Sequence, residues 1–295
     1  MQYFLKNLKK YIFNRSTLIV IGIGFFCLIV SFVVRNYDTL KELIKPNINT
    51  MQSQGLDMAA KLRQSKQHRD FLCVDLFNFD SYIRSAQWIY LYLVNIFAIL
   101  PSIRYFDKRK SGYLKSVLMR THFKKYLWRE GLSITIAGGI IAFVPYFVYW
   151  LLGAIFIPNN VGEDMGLIQT YFREYQSFNP FSFLHISVEQ LKLYWLVYIV
   201  MIGIYGICIS FLTFVFANIV SKKAVLFVAP LGYYYLVTTV MDFFHIQHYS
   251  ILGLISYFSQ ANNSTPNILI AISTIIIVSL IIYSVKVTKE KVVNV

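Results

Sequence analysis

Charged residues are scarce in this chain of 295 residues. They make up 14% of the sequence, whereas a soluble domain carries about 25%. Hydrophobic residues make up 57% of the chain and aromatic residues 17%. This composition excludes an ordinary soluble globular domain and predicts a membrane protein. Acidic residues are the rarer charge, with 14 Asp and Glu against 28 Lys and Arg, so the formal net charge is +14.

Motifs that carry chemistry are also missing. The phosphate-binding pattern Gly-x-x-x-x-Gly-Lys-Ser/Thr does not occur, so we expect that this chain does not hydrolyse ATP. None of the three cysteines has an evident disulfide partner. Asp242, His245 and His248 have a spacing that metal ligands can adopt, but no fourth ligand accompanies them, and we predict no metal site. No catalytic residues are predicted, and the chain is not expected to be an enzyme.

The sequence contains six long apolar runs. Each is long enough to cross the hydrocarbon core, which takes about 20 residues of α-helix. None has an internal Asp, Glu, Lys or Arg once Lys223, at the start of the fifth run, is set aside. The sequence therefore predicts an all-α integral membrane protein in a single domain covering residues 1–295. The predicted spans are 17–34, 86–103, 132–157, 193–218, 223–241 and 267–285.

The positive charge indicates the orientation of the spans. Lys and Arg concentrate in the amino-terminal tail, in residues 104–130, at 222–223 and in the carboxyl-terminal tail, and such flanks stay in the cytoplasm. Residues 242–266 contain no Lys or Arg. We therefore predict a multi-pass protein of a bacterial cell membrane with both termini cytoplasmic. Residues 35–85, with eight basic and six acidic residues, are predicted to form a helical extracellular loop. Charge spread over membrane flanks suits anionic lipid and argues against nucleic-acid binding.

The amino-terminal segment 3–14 has a helical pattern of its own. Lys6, Lys9 and Lys10 lie on one side of the predicted helix and apolar residues on the other. This pattern favours an amphipathic helix in the membrane interface, and a simple positive anchor for the first span is the alternative. The predicted interfacial residues are Phe4, Leu5, Leu8, Tyr11 and Ile12.

The link 104–130, between the second and third spans, is much longer than a turn requires. Within it, apolar residues of segment 113–119 share one helical face, and a second basic helix is expected to start at His122 and run into the third span. The short helix would lie on the cytoplasmic surface, where its apolar face needs lipid or a protein groove. Its candidate contact residues are Ser111, Gly112, Tyr113, Leu114, Lys115, Val117 and Leu118.

The chain resembles the membrane (permease) subunits of bacterial ABC-type exporters of the type-2 permease family. Three features carry the resemblance: an interfacial helix, six spans and a link that reads "SGYLKSVLMRTHFKKYL". The resemblance implies that the link is a coupling helix that docks on a separate cytoplasmic ATP-binding subunit, which holds ATP and Mg, while this chain has no cofactor. The family usually has a glutamate before the glycine-containing turn, where this chain has Asp107 and Ser111. The resemblance further implies a homodimer, or a pair with a similar permease.

The same resemblance implies outward movement of a hydrophobic or amphipathic peptide, in antimicrobial peptide or bacteriocin export or immunity. The alternative is a membrane anchor or sensor that does not transport, and that recruits a cytoplasmic partner through its basic helix. Some residues within the spans also have two interpretations, because they either form a hinge and a translocation route or only bend and bond the helices. These residues are Pro145, Pro230, Tyr233, Tyr234 and Tyr235.

Small residues recur in the predicted spans and allow helices to approach closely. They either pack helices within one subunit or form the seam of a dimer. The residues concerned are Gly22, Gly24, Gly138, Gly139, Gly203, Gly206 and Ser210.

Overall fold

The structure is a computed structural model that describes residues 2–37, 41, 82, 87–111, 123–157, 191–246, 270 and 272–284. These residues form seven helices and no strand, as the predicted all-α class requires. The helices are α1 (Gln2–Ile12), α2 (Arg15–Arg35), α3 (Gln87–Lys110), α4 (Phe123–Phe156), α5 (Leu191–Ile219), α6 (Lys223–Phe243) and α7 (Ile272–Ser284).

Four of the described helices are long and apolar enough to cross a membrane, namely α2, α4, α5 and α6. The apolar parts of α4 and α5 are Tyr126–Phe156 and Trp195–Ile219, and the mean hydropathy of the four segments lies between 1.6 and 2.8. The 21 residues of α2 rise about 1.5 Å each, so this helix matches a hydrocarbon core about 30 Å thick. These four helices coincide with four of the six predicted spans.

The other two predicted spans, 86–103 and 267–285, fall on α3 and α7. Helix α3 continues beyond Ile103 to Lys110, so its last two turns carry the first charges of the predicted cytoplasmic link. Helix α7 is a shorter apolar helix in the part of the chain that the structure describes. A total of six spans therefore stays a prediction.

Helices α3, α4 and α5 form the centre of the bundle, and α2 and α6 lie at its edge. In an apolar stretch of 18 residues within α5, 67% of the residues are buried, against 22% in the corresponding stretch of α2 and 17% in that of α6. Most exposed residues of α2 and α6 away from the helix ends are apolar, as expected for helices that face lipid. Large aromatic side chains fill the centre, among them Phe97, Tyr146, Tyr149 and Trp195.

Small residues let the three central helices approach one another. Gly138 of α4 faces the Ser210 side chain, and a Cβ added there would lie 3.0 Å from the carbonyl oxygen of Ala98. A Cβ added at Gly206 would lie 2.7 Å from a methyl group of α4. These glycines pack helices within one subunit. Gly22 differs, because a Cβ there would meet nothing within 4 Å.

One end of the bundle joins the end of α4 to the start of α5. Tyr82 and Tyr149 stack with ring centroids 4.2 Å apart, and the hydroxyl of each donates to the backbone oxygen of the other, at 3.0 and 2.9 Å. The indole of Trp150 donates to Lys192 O, and Lys192 Nζ donates to Ala154 O at 2.8 Å. A cation thus lies at the carboxyl end of α4, where the helix dipole favours it.

Most of the predicted extracellular loop 35–85 lies outside the described residues. So do the predicted link residues 112–122 and most of 242–266. The boundaries of the described helices show that α3 and α4 form the two stems of the link, because α3 ends at Lys110 and α4 begins at Phe123.

Candidate functional site at the charged end of helix α3

The last two turns of α3 are bonded to five other described helices, namely α1, α2, α4, α5 and α6. Five side chains take part, and we call them the α3 junction: Arg104, Tyr105, Asp107, Lys108 and Arg109. Successive residues of an α-helix point about 100° apart, so charged and polar residues that follow one another closely reach different neighbours. The junction lies immediately before the link, and its contacts are described helix by helix below.

Lys108 makes a buried ion pair with Glu130 of α4. Lys108 Nζ lies 2.7 Å from Glu130 Oε1, and the Glu130 side chain is only 1% exposed. Two residues of α1 donate to the same carboxylate: Tyr11 through its hydroxyl at 2.5 Å and Asn7 through its amide nitrogen at 2.7 Å. Glu130 is thus the common acceptor for α1 and α3.

The charge of Glu130 needs all of these donors. A carboxylate taken out of water loses several kcal/mol of hydration, which only close cations and hydrogen bonds return. Lys108 Nζ also donates to the Tyr11 hydroxyl at 2.8 Å and lies 4.6 Å from the centre of its ring. Burial raises the pKa of the Tyr11 phenol well above its usual range, and the negative charge of Glu130 raises it further. Tyr11 therefore keeps its proton and remains a donor to Glu130 at physiological pH.

Arg104 fixes the corner between α1 and α2. One guanidinium nitrogen donates to Tyr11 O at 2.9 Å and another to Ser16 Oγ at 2.6 Å. The Thr17 hydroxyl also donates to Tyr11 O, at 3.0 Å. The last carbonyls of a helix lack intrahelical donors, so Arg104 and Thr17 cap the end of α1. The direction in which α1 leaves the first span is therefore set by a side chain of α3.

Two further junction residues hold the end of α5. The Tyr105 hydroxyl donates to Asn218 Oδ1 at 2.6 Å, and the Asn218 amide donates in turn to Phe214 O. Arg109 donates to Ala217 O at 2.7 Å, so a cation again lies at the carboxyl end of a helix.

Asp107 reaches the start of α6. Its carboxylate accepts from Lys223 Nζ at 2.8 Å, and both side chains are about half exposed. An ion pair as open to water as this one contributes at most about 1 kcal/mol. Its importance is positional, because it places the start of α6 beside the end of α3.

The α3 junction collects the segments that the charge pattern assigns to one side of the membrane. The amino-terminal helix, the two stems of the link and the α5–α6 turn meet there through the contacts above. Helix α7 ends beside the α4 stem: the rings of Tyr283 and Trp128 lie 6.4 Å apart, and Tyr283 packs against the buried cluster that includes Tyr105. The predicted grouping of these segments agrees with the packing, and their cytoplasmic location stays a prediction.

The predicted contact residues of the coupling helix lie almost entirely outside the described residues. Ser111 is the exception: it is exposed, and its hydroxyl donates to Lys108 O at 2.9 Å. The other six lie in the undescribed link: Gly112, Tyr113, Leu114, Lys115, Val117 and Leu118.

The predicted interfacial helix is present as α1, but its apolar face divides between two environments. Leu8, Tyr11 and Ile12 pack against the α3–α4–α5 end of the bundle. Leu5 is 52% exposed and Phe4 is half-buried. Helix α1 is therefore docked on protein along one side, which a helix anchored by lipid alone is not.

The candidate hinge and route residues do not share one environment. Pro145 and Pro230 are buried inside α4 and α6, and both helices continue beyond them. The Tyr233 hydroxyl donates to Thr274 Oγ1 of α7 at 3.4 Å, and Tyr234 is buried, whereas Tyr235 is exposed. Tyr233 thus joins α6 to α7, and Tyr234 packs in the buried core cluster. A translocation route through all five residues stays a prediction.

Sequence reasoning missed Glu130, which is central to the site. The residue precedes the predicted third span by two positions and was counted with the basic link. A signal was present, since Glu130 is the one acidic residue between Asp107 and the end of the third span at Ile157.

Comparison of the chain with models of protein families, with curated proteins and with solved structures finds no match.

Proposed function

We propose that this chain is the transmembrane subunit of an ATP-driven exporter of the ABC type. A separate ATP-binding subunit would act on the link between α3 and α4, and this chain would form the membrane passage with a second copy or a similar chain. The cargo class that we favour is a hydrophobic or amphipathic peptide, which rests on the family resemblance of the link and the spans.

The α3 junction is the observation that carries the proposal. A subunit that converts a push on a cytoplasmic link into helix movement needs a rigid connection from the link to the other helices. Both stems of the link are tied to each other by the buried pair of Lys108 and Glu130. The stem on α3 is also bonded to the ends of α1 and α5 and to the start of α6. Displacement of the link would therefore act on the bundle as a whole.

Charged substitutions in the link test this function. In the full chain, Tyr113→Glu with Leu114→Glu is expected to abolish copurification of the ATP-binding subunit, because two charges would enter an apolar contact face. The chain should still insert in the membrane, since its spans are unchanged. Copurification from the native membrane, followed by mass spectrometry and ATP hydrolysis assays, measures the effect.

Met119→Glu is the matched control, because residue 119 lies about 120° around the predicted helix from Tyr113 and about 140° from Leu114, away from the apolar contact face. It should retain the subunit. Retention of the ATP-binding subunit by the double variant would exclude this face as the contact. Copurification of the wild-type chain with no ATP-binding protein would favour the membrane anchor or sensor instead.

Cysteine labelling tests the orientation. In a chain whose three native cysteines are replaced, Ser111→Cys should react with a membrane-impermeant maleimide only in inverted vesicles. Tyr37→Cys should react in intact cells, because α2 carries Tyr37 to the opposite end of the bundle. Both positions are exposed, so access is set by the membrane. The reverse labelling pattern would contradict cytoplasmic termini.

A further inference from the structure

Glu130 connects three elements that surround the link. Lys108 lies four positions before residue 112, on the α3 stem, and Glu130 itself lies on the α4 stem. Asn7 and Tyr11 belong to α1 and approach the carboxylate from the amino-terminal side of the chain. Among the described carboxylates, Glu130 is the one that bonds to both α1 and α3.

These contacts make separate movement of the three elements costly. If α1 left the bundle, Glu130, whose side chain is 1% exposed in the structure, would lose two of its three donors. If the stems separated, the carboxylate would lose its cation. Either event removes compensation from a charge on a side of α4 that also carries Leu127 and Ile134, which belong to a buried apolar cluster. The arrangement that keeps every donor is one in which α1 and both stems move together.

We propose that Glu130 is a positioning residue that makes α1 part of the coupling unit of this chain. Movement of the link, driven by the partner ATPase, is transmitted to α1 through the Glu130 carboxylate and its donors Tyr11, Asn7 and Lys108. Helix α1 is then a moving part of the transport machinery in addition to lying at the membrane interface. This inference rests on the proposed function.

Proteolysis on the exposed side of α1 can measure how firmly this helix is docked on the bundle. Lys6, Lys9 and Lys10 are exposed, and trypsin cleaves after lysine. Cleavage within a helix requires local opening, so its rate reports how firmly α1 is docked. A nucleotide that moves the link should change this rate in the intact complex if α1 moves with the stems.

The experiment uses the full chain in complex with its copurified ATP-binding subunit, with ATP and vanadate as the probe. In the wild type, the initial rate of cleavage in α1 is expected to change by about threefold or more between the nucleotide-free and the vanadate-trapped complex. In the double variant Lys108→Met/Glu130→Met, the change should fall below about 1.5-fold while the subunit stays bound. Glu130→Gln, which keeps one acceptor oxygen, should lie between the two.

Tyr149→Phe is the matched control for Tyr11→Phe, because each variant removes one hydroxyl donor from a buried tyrosine. Tyr149 lies at the opposite end of the bundle, so its variant should retain the nucleotide response, whereas Tyr11→Phe should reduce it. A merely structural role of Glu130 would change the cleavage rate equally with and without nucleotide.

Two results would overturn the inference and leave the proposed function intact. One is a bound, active ATPase whose nucleotide state has no effect on cleavage of wild-type α1. The other is a double variant that retains the full nucleotide response. If no ATPase copurifies with the wild-type chain, the proposed function fails, and this inference fails with it.

Discussion

Replacement of Lys108 by methionine is expected to lower the free energy of unfolding by about 3 kcal/mol. The substitution removes the cation of a buried ion pair and leaves the Glu130 carboxylate with only the neutral donors Tyr11 and Asn7. Removal of one partner of a buried pair costs about 3 to 5 kcal/mol, and the lower end applies because the Lys108 side chain is 21% exposed. Denaturant unfolding in mixed micelles, followed by circular dichroism, measures the change.

The double variant Lys108→Met/Glu130→Met separates two effects on stability: the loss of the ion pair itself, and the cost of a buried Glu130 carboxylate that has no cation. It should recover to within about 1 to 2 kcal/mol of the wild type, because methionine has nearly the shape of glutamate and leaves no buried charge. The remaining loss reflects the Tyr11 hydroxyl and the Asn7 amide, which lose their acceptor. A double variant that is less stable than Lys108→Met alone would contradict this assignment of the energy.

The second large effect is expected at the contact of α3, α4 and α5. Gly138→Ala should lower the free energy of unfolding by about 2 to 3 kcal/mol, since overpacking of a tight core costs this much. The added methyl group would overlap the Ser210 side chain and lie 3.0 Å from the backbone oxygen of Ala98. Backbone cannot move aside as a flexible side chain can, so the helices must separate. Unfolding in the same micelles measures the loss.

Gly22→Ala is the matched control, because it makes the same chemical change in a spanning helix where a Cβ meets nothing within 4 Å. Its free energy of unfolding should stay the same or rise by up to about 1 kcal/mol, since alanine has the higher helix propensity. A clear loss of stability at Gly22 would contradict this expectation and is the result that a dimer seam at α2 would give.

The features that the sequence predicted well are local ones. The amphipathic pattern of α1 and the long apolar runs of α2, α4, α5 and α6 each lie within one stretch of chain. Length and hydropathy decide whether a helix can cross a membrane, and both are read directly from the residues. The start of α4 at Phe123 likewise follows a periodic pattern that continues into the apolar run.

The interpretation of single residues was less successful, for a physical reason. The helical pattern places Tyr11 on an apolar face turned toward lipid. In the structure its side chain is buried against protein, and its hydroxyl donates to Glu130, which lies 119 positions away in the chain. Helical periodicity shows which residues share a face of the helix. It does not show whether lipid or another part of the protein covers that face. The same limit applies to Glu130, which the sequence places at the end of the basic link 104–130.

By itself, the sequence determined the all-α class and the four long apolar helices, because the transfer of apolar residues into lipid is a property of each segment alone. The assignment of the charged segments to the cytoplasmic side stays a prediction. Only the tertiary structure decided that α1 docks on the bundle and that one carboxylate joins it to both stems of the link. A buried charge is tolerated only where donors from several elements converge, and that convergence depends on how α1, α3 and α4 pack in three dimensions.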